Sequence, residues 1–144
     1  MIHNPNDLLL EEIYKSAKMG MQATHLVAEK TENSAQRADI RQQHENYHRI
    51  AESAGEHLVK KGALPGENNV LEKAALWGSI KLNTLAGASP TRISEIIING
   101  CNMGIVEISK KMNEYNEAEF FAKELGRTFI RKSEEQIDLM KSYL

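Results

Sequence analysis

The stretch 42-QQHENYHRIAESAGEHL-58 holds three of the chain's five histidines, His44, His48 and His57, together with Glu45, Glu52 and Glu56. Around it, Ile40, His44, Tyr47, Ala51, Ala54 and Leu58 alternate at spacings of four and three residues. That is the period of one face of an α-helix. The helix is expected to start at Ser34 as N-cap and to end at Gly62, ahead of the loop signal Pro65-Gly66. Gln36 lies one turn before Ile40 on the same face, so the apolar stripe starts late and its first turn is expected to be only half covered.

Upstream, Asn4-Pro5 reads as an N-cap followed by a first helical position, with Asp7 favourable in the first turn. Leu10, Ile13, Ala17, Gly20, Thr24 and Val27 then mark one buried face. This helix should run from about residue 5 to about residue 31, roughly 40 Å at 1.5 Å per residue. Only the polar turn Thr31–Ser34 separates the two helices, so they should form an antiparallel hairpin. Pairing across that hairpin brings His25 near His44 and Met21 near His48.

Downstream, Asn69 and Glu72 have capping-box spacing and open a shorter helix, VLEKAALWGSIKLNTL, with Trp77 at its side. Ser89-Pro90 begins a helix to about Tyr115 that carries Ile93, Ile97, Cys101, Gly104, Ile108 and Met112. A last helix is expected from near Asn116, with Glu119 at capping-box spacing, through Phe121, Leu125, Phe129, Ile137 and Met140. The whole is one all-α domain over residues 1–144: two helical hairpins joined by a long connection that includes a short helix. That connection allows two topologies. One is a bundle with a single long crossover; the other is up-down-up-down with a lateral short helix.

Composition narrows the function. Lys plus Arg is 18 and Asp plus Glu is 20, a formal net charge of −2, which gives no electrostatic case for nucleic acid or for an anionic membrane. No run of 18 apolar residues suggests a membrane span. The opening MIHNPNDLLLEE lacks the basic region and long apolar core of a signal peptide, so a cytoplasmic location is expected. With one cysteine, no internal disulfide can form, and Cys101 among isoleucines reads as an inert buried thiol. Neither a P-loop nor a dinucleotide fingerprint is present.

The order of elements, with Glu45-x-x-His48 on the second long helix, resembles the ferritin-like superfamily. In layout the chain is similar to small bacterial ferritin-like domains of uncharacterised function, which share a Gly-x-x-Pro turn (here Gly62-Ala63-Leu64-Pro65), a short Trp-containing helix (here Trp77) and a second hairpin. The resemblance implies a ferritin-like four-helix bundle with a short extra helix in the crossover. It also hints at oligomerisation in a stress, storage or spore-associated setting. Di-iron members need a glutamate from each of two helices and Glu-x-x-His from each of the other two. Carboxylates neutralise and bridge the metals while each imidazole adds a neutral nitrogen. Only half of this pattern is present. No histidine follows His57, and three residues beyond Glu134 and Glu135 stand Ile137 and Asp138. Glu45, about 100° round the helix from His44, reads better as a solvated partner of Arg41 and Arg49.

Two readings therefore stand. In the leading one the chain is a non-enzymatic bundle without a complete di-iron site or other cofactor, acting as a homo-oligomer or on a protein partner. His44 is then a core histidine bonded to Tyr47 or another neighbour. In the alternative, His25, His44, Glu45 and His48, with carboxylates such as Glu12 or Glu107, hold an iron or zinc ion for binding or redox work. Met19, Met21 and His25 are better read as core packing than as a copper(I) site. Gly100 and Gly104, one turn apart, should admit a bulky side chain such as Trp77 or Phe121. Lys123, Arg127 and Arg131 form a basic stripe that neighbouring glutamates reduce to a solvated face.

Overall fold

The computed structural model describes residues 4–62 and 85–144. Four α-helices occur among them and no strand: α1, Pro5–Lys30; α2, Ser34–Lys60; α3, Pro90–Glu114; and α4, Phe120–Lys141. The expected short helix, its capping pair Asn69 and Glu72, and Trp77 lie outside the described residues.

Side chains close most of the helix starts, where the first backbone N–H groups lack intrahelical partners. Asn4 Oδ1 accepts from the Asp7 amide at 2.8 Å, and Ser89 Oγ accepts from the Arg92 amide at 3.2 Å. At α2 the cap is Asn33 rather than Ser34: its Oδ1 accepts from the Gln36 amide at 2.9 Å, which makes Ser34 the first helical residue. Asparagine and serine cap about equally well, so propensity could not separate neighbours. The last helix starts later than its capping-box spacing predicts. Residues 115–118 form a turn, closed by the Ala118 N–H donating to Tyr115 O at 3.0 Å, that buries Ala118, and Glu119 occupies the N-cap without a side-chain bond. Glu119 instead donates its own N–H to Asn6 Oδ1 at 3.2 Å.

Bonds between helix ends fix the topology. Asn6 and Glu119 bring the starts of α1 and α4 together, and Lys61, just past the end of α2, lies 3.8 Å from Asp7 and 3.7 Å from Glu119. At the opposite end Gln36 Nε2 donates to Pro90 O and to Ser94 Oγ, each at 2.9 Å, joining the starts of α2 and α3. There too the Tyr143 hydroxyl donates to Asp39 Oδ2 at 2.7 Å. Helices α1 and α4 thus run one way, and α2 and α3 the other. Each of α1 and α4 packs on both α2 and α3, while α2 and α3 lie across the diagonal. An up-down-up-down bundle would make α2 and α3 antiparallel neighbours, so that alternative is excluded.

The core has two halves. Leu9, Leu10, Ile13, Leu58, Ala122 and Phe129 fill the end where α1 begins, and Val27, Ile40, Ile93, Ile97 and Met140 fill the other. Each fully buried Leu or Ile contributes about 1.5–3 kcal/mol of transfer free energy. Gln36 is 0% exposed. The first turn of α2 is half-covered as expected, with Ser34 and Ala35 exposed, but its inward position is closed by Gln36, whose amide donors are used by α3 rather than by solvent.

Candidate functional site

His44 is half-buried at the seam of α1 and α2, where its Nδ1 lies 2.8 Å from Met21 O and 3.4 Å from Thr24 Oγ1. A carbonyl can only accept, so Nδ1 carries the proton and Nε2 of the neutral ring is left as a lone pair. Tyr47 is not its partner. The hairpin register does bring His25 beside it, with ring centroids 6.0 Å apart. His25 Nε2 meets Glu29 Oε1 at 2.8 Å, and His48 Nε2 meets Glu52 Oε2 at 3.3 Å, all four residues being exposed. Glu45 is turned outward, 3.7 Å from Arg49 Nε. The Glu-x-x-His pair is thus divided between two separate surface contacts. Glu12 and Glu107 are half-buried and lie in the field of Lys111. His57 stacks on Phe121, with centroids 4.7 Å apart and planes at 17°. Among the described residues no group of three or more His, Cys, Asp or Glu converges as a set of metal ligands.

The interior offers different chemistry. Every buried polar residue among those described is uncharged, including Thr24, Gln36, Gln43, Ser94, Ser133 and Gln136. The Tyr47 hydroxyl lies 3.2 Å from Ser133 Oγ and 3.9 Å from Cys101 Sγ. Burial, reinforced by the neighbouring thiol, pushes the Tyr47 phenol well above its ordinary range. Burial likewise pushes the Cys101 thiol up to about 11. Both groups are protonated at neutral pH, so neither is poised as a base or nucleophile. A di-iron centre needs carboxylates that neutralise the metal charge, and this set of neutral amides and hydroxyls does not fit one.

A cavity of about 40 Å³ opens where α1 crosses α3. Met19, Gly20 and Ala23 line it from one helix and Gly100, Cys101 and Gly104 from the other, over a floor of Tyr47 and Phe129. The Gly100/Gly104 spacing signalled a close approach, but the side chain that exploits it is Phe129: a Cβ on Gly104 would lie 3.1 Å from its ring. Trp77 is outside the described residues, and Phe121 is exposed against His57. Sequence reading missed Gly20 as the seat of the Tyr47 ring. Its place in the buried stripe of α1 was visible, and the hairpin register brings Tyr47 opposite it, but neither signal says that a ring would seat there.

The basic stripe of α4 is solvated as expected where it pairs: Arg127 with Glu124, and Arg131 with Glu135 at 3.9 Å. Among the described residues, no helix is long and apolar enough to cross a membrane. No family model matches the chain, and comparisons with curated proteins and with solved structures find no match either.

Proposed function

We propose that this chain is a ferritin-like bundle that works without a di-iron centre, through contact with further copies of itself or with a protein partner in the cytoplasm. The observation that carries the reading is the neutral interior: among the described residues, the buried polar positions hold amides and hydroxyls where a di-iron protein needs carboxylates and imidazoles. Parallel α2 and α3 on a diagonal support the ferritin-like layout, since that arrangement suits one long crossover. Exposed apolar side chains support association: Met103 and Val106 stand on the outer side of α3, and Val59 and Phe120 near the end where α4 begins. A net charge of −2 favours a protein partner over nucleic acid. Metal analysis of protein purified without chelator, together with light scattering on the eluted peak, tests the reading. A metal-free oligomer, or a complex with a protein partner, is expected; about two irons per chain with oxidase activity would overturn it.

A second reading has one observation in its favour. Each of His25, His44 and His48 has one ring nitrogen engaged by a carboxylate or carbonyl, the arrangement that orients metal-bound imidazoles. In this reading the three histidines, with Glu45 or another nearby carboxylate, take up a zinc or iron ion at the α1–α2 seam. His44→Ala should then abolish stoichiometric uptake while the helical circular dichroism persists. Unchanged uptake counts decisively against it.

A further inference from the structure

The void between α1 and α3 has a composition that selects its occupant. At about 40 Å³ it exceeds the roughly 10–15 Å³ that one water requires, but an ordered water also needs two to four polar partners. Three hydroxyls stand at the walls, those of Ser16, Thr24 and Tyr47, and two of them already have partners within the protein. Thr24 Oγ1 donates to Gly20 O at 2.7 Å, and the Tyr47 hydroxyl is paired with Ser133 at 3.2 Å. Apart from the Ser16 hydroxyl, one polar group where an ordered water needs at least two, the remaining side-chain surface is methyl, methylene, thioether and aromatic ring, with the protonated Cys101 thiol behaving as a small apolar group.

The void follows from the residues that pack around it. Gly20 and Gly104 admit the rings of Tyr47 and Phe129 from below, while Ala23 and Gly100 carry too little side chain to fill the crossing from above. Met19 and Met103 stand beside it, and Met103 is 56% exposed. A flexible thioether at the solvent side can swing aside to admit a ligand without moving a helix.

We propose that the α1–α3 crossing is a binding site for a small, uncharged apolar molecule of a few heavy atoms, seated on the Tyr47 and Phe129 rings. This goes beyond the association reading and does not depend on it, since the site lies within one chain. Xenon is the probe, followed by xenon magnetic resonance on the intact protein. Saturable binding at one site per chain is expected. It should be lost in Ala23→Leu, which fills the void from α1, and in Gly100→Leu, which fills it from α3. Circular dichroism establishes that each variant is folded, and one folded variant is enough. A xenon signal in the wild type that grows linearly with pressure without saturating overturns the proposal. So does saturable binding that persists in a folded filled variant.

Discussion

Gly20 on α1 lies so close to the Tyr47 ring on α2 that a Cβ at position 20 would stand 2.6 Å from ring carbons Cδ2 and Cε2. Tyr47 is 4% exposed and is held at its far end by Ser133, so the ring has little room to retreat. Gly20→Ala gains about 1 kcal/mol of helix propensity but forces overpacking that costs about 1–3 kcal/mol. A net loss of stability is expected in urea denaturation. Combining it with Tyr47→Leu should make the alanine less costly than it is alone, because the obstructing ring is gone.

Gly126 on α4 provides the contrast. A Cβ there would meet Met112 Sδ at 2.8 Å, but this neighbour is the end of a flexible, half-buried side chain. Met112 can turn away through three soft torsions. Gly126→Ala should therefore stay within about 1 kcal/mol of wild type, with the propensity gain offsetting the adjustment. A urea midpoint that falls as far as that of Gly20→Ala would show that Met112 is fixed.

Gln36 spans the bundle's diagonal, donating to Pro90 O and Ser94 Oγ at 2.9 Å from a fully buried amide. Gln36→Leu preserves volume and removes the buried, unpartnered Gln36 Oε1, but it withdraws the donor that meets Ser94 Oγ, while Pro90 O keeps only its intrahelical bond from the Ser94 amide. Each unsatisfied buried group costs about 1–3 kcal/mol. The expected result is a loss of that order, read by chemical denaturation. Ser94→Ala removes one acceptor and should be milder, because the Pro90 carbonyl still receives the amide.

The same residue shows what was legible in the sequence and what was not. Helix existence, the Asn4 and Ser89 caps and the antiparallel first hairpin follow from local signals: period, capping chemistry and turn length. His25 beside His44 and the outward Glu45 also follow, because hairpin register and helical angle are short-range geometry. Gln36 looked like a flaw in an apolar stripe because its partners lie 54 and 58 residues away. Tyr47 with Ser133 escaped for the same reason: the two helices are distant in sequence, and periodicity describes one helix at a time. Gly20 with Tyr47 lay within the hairpin register that pairs His25 with His44, but register alone does not say that a ring will seat on a glycine. The late start of α4 was misread because capping-box spacing says nothing of the turn over residues 115–118, closed by the Ala118 N–H on Tyr115 O with Ala118 buried.

Cys101 and Tyr47 predict how stability changes at alkaline pH. The folded state raises the thiol from 9.0 to about 11 and the Tyr47 phenol upward from 10.0. Below pH 9 both groups are protonated whether the chain is folded or not, so they add no pH dependence. Between pH 9 and 11 the unfolded thiol loses its proton while the folded one keeps it, which favours the unfolded state; Tyr47 adds the same effect from pH 10 upward. The contribution from Cys101 alone is a loss on the order of 2–3 kcal/mol by pH 11. Tyr115 and Tyr143, whose phenols are raised by hydrogen bonds to Glu114 and Asp39, are common to wild type and variants, so differences isolate the two buried groups. In urea midpoints measured from pH 7 to 11, Cys101→Ala should lessen the decline that begins near pH 9, and Tyr47→Phe the part above pH 10. Equal slopes in all three proteins would mean that neither group keeps its proton in the fold. The thiol supplies an independent check: at pH 8 its thiolate fraction should be about a hundredfold below that of the unfolded chain. Iodoacetamide should accordingly alkylate native Cys101 at least that much more slowly, with burial slowing it further.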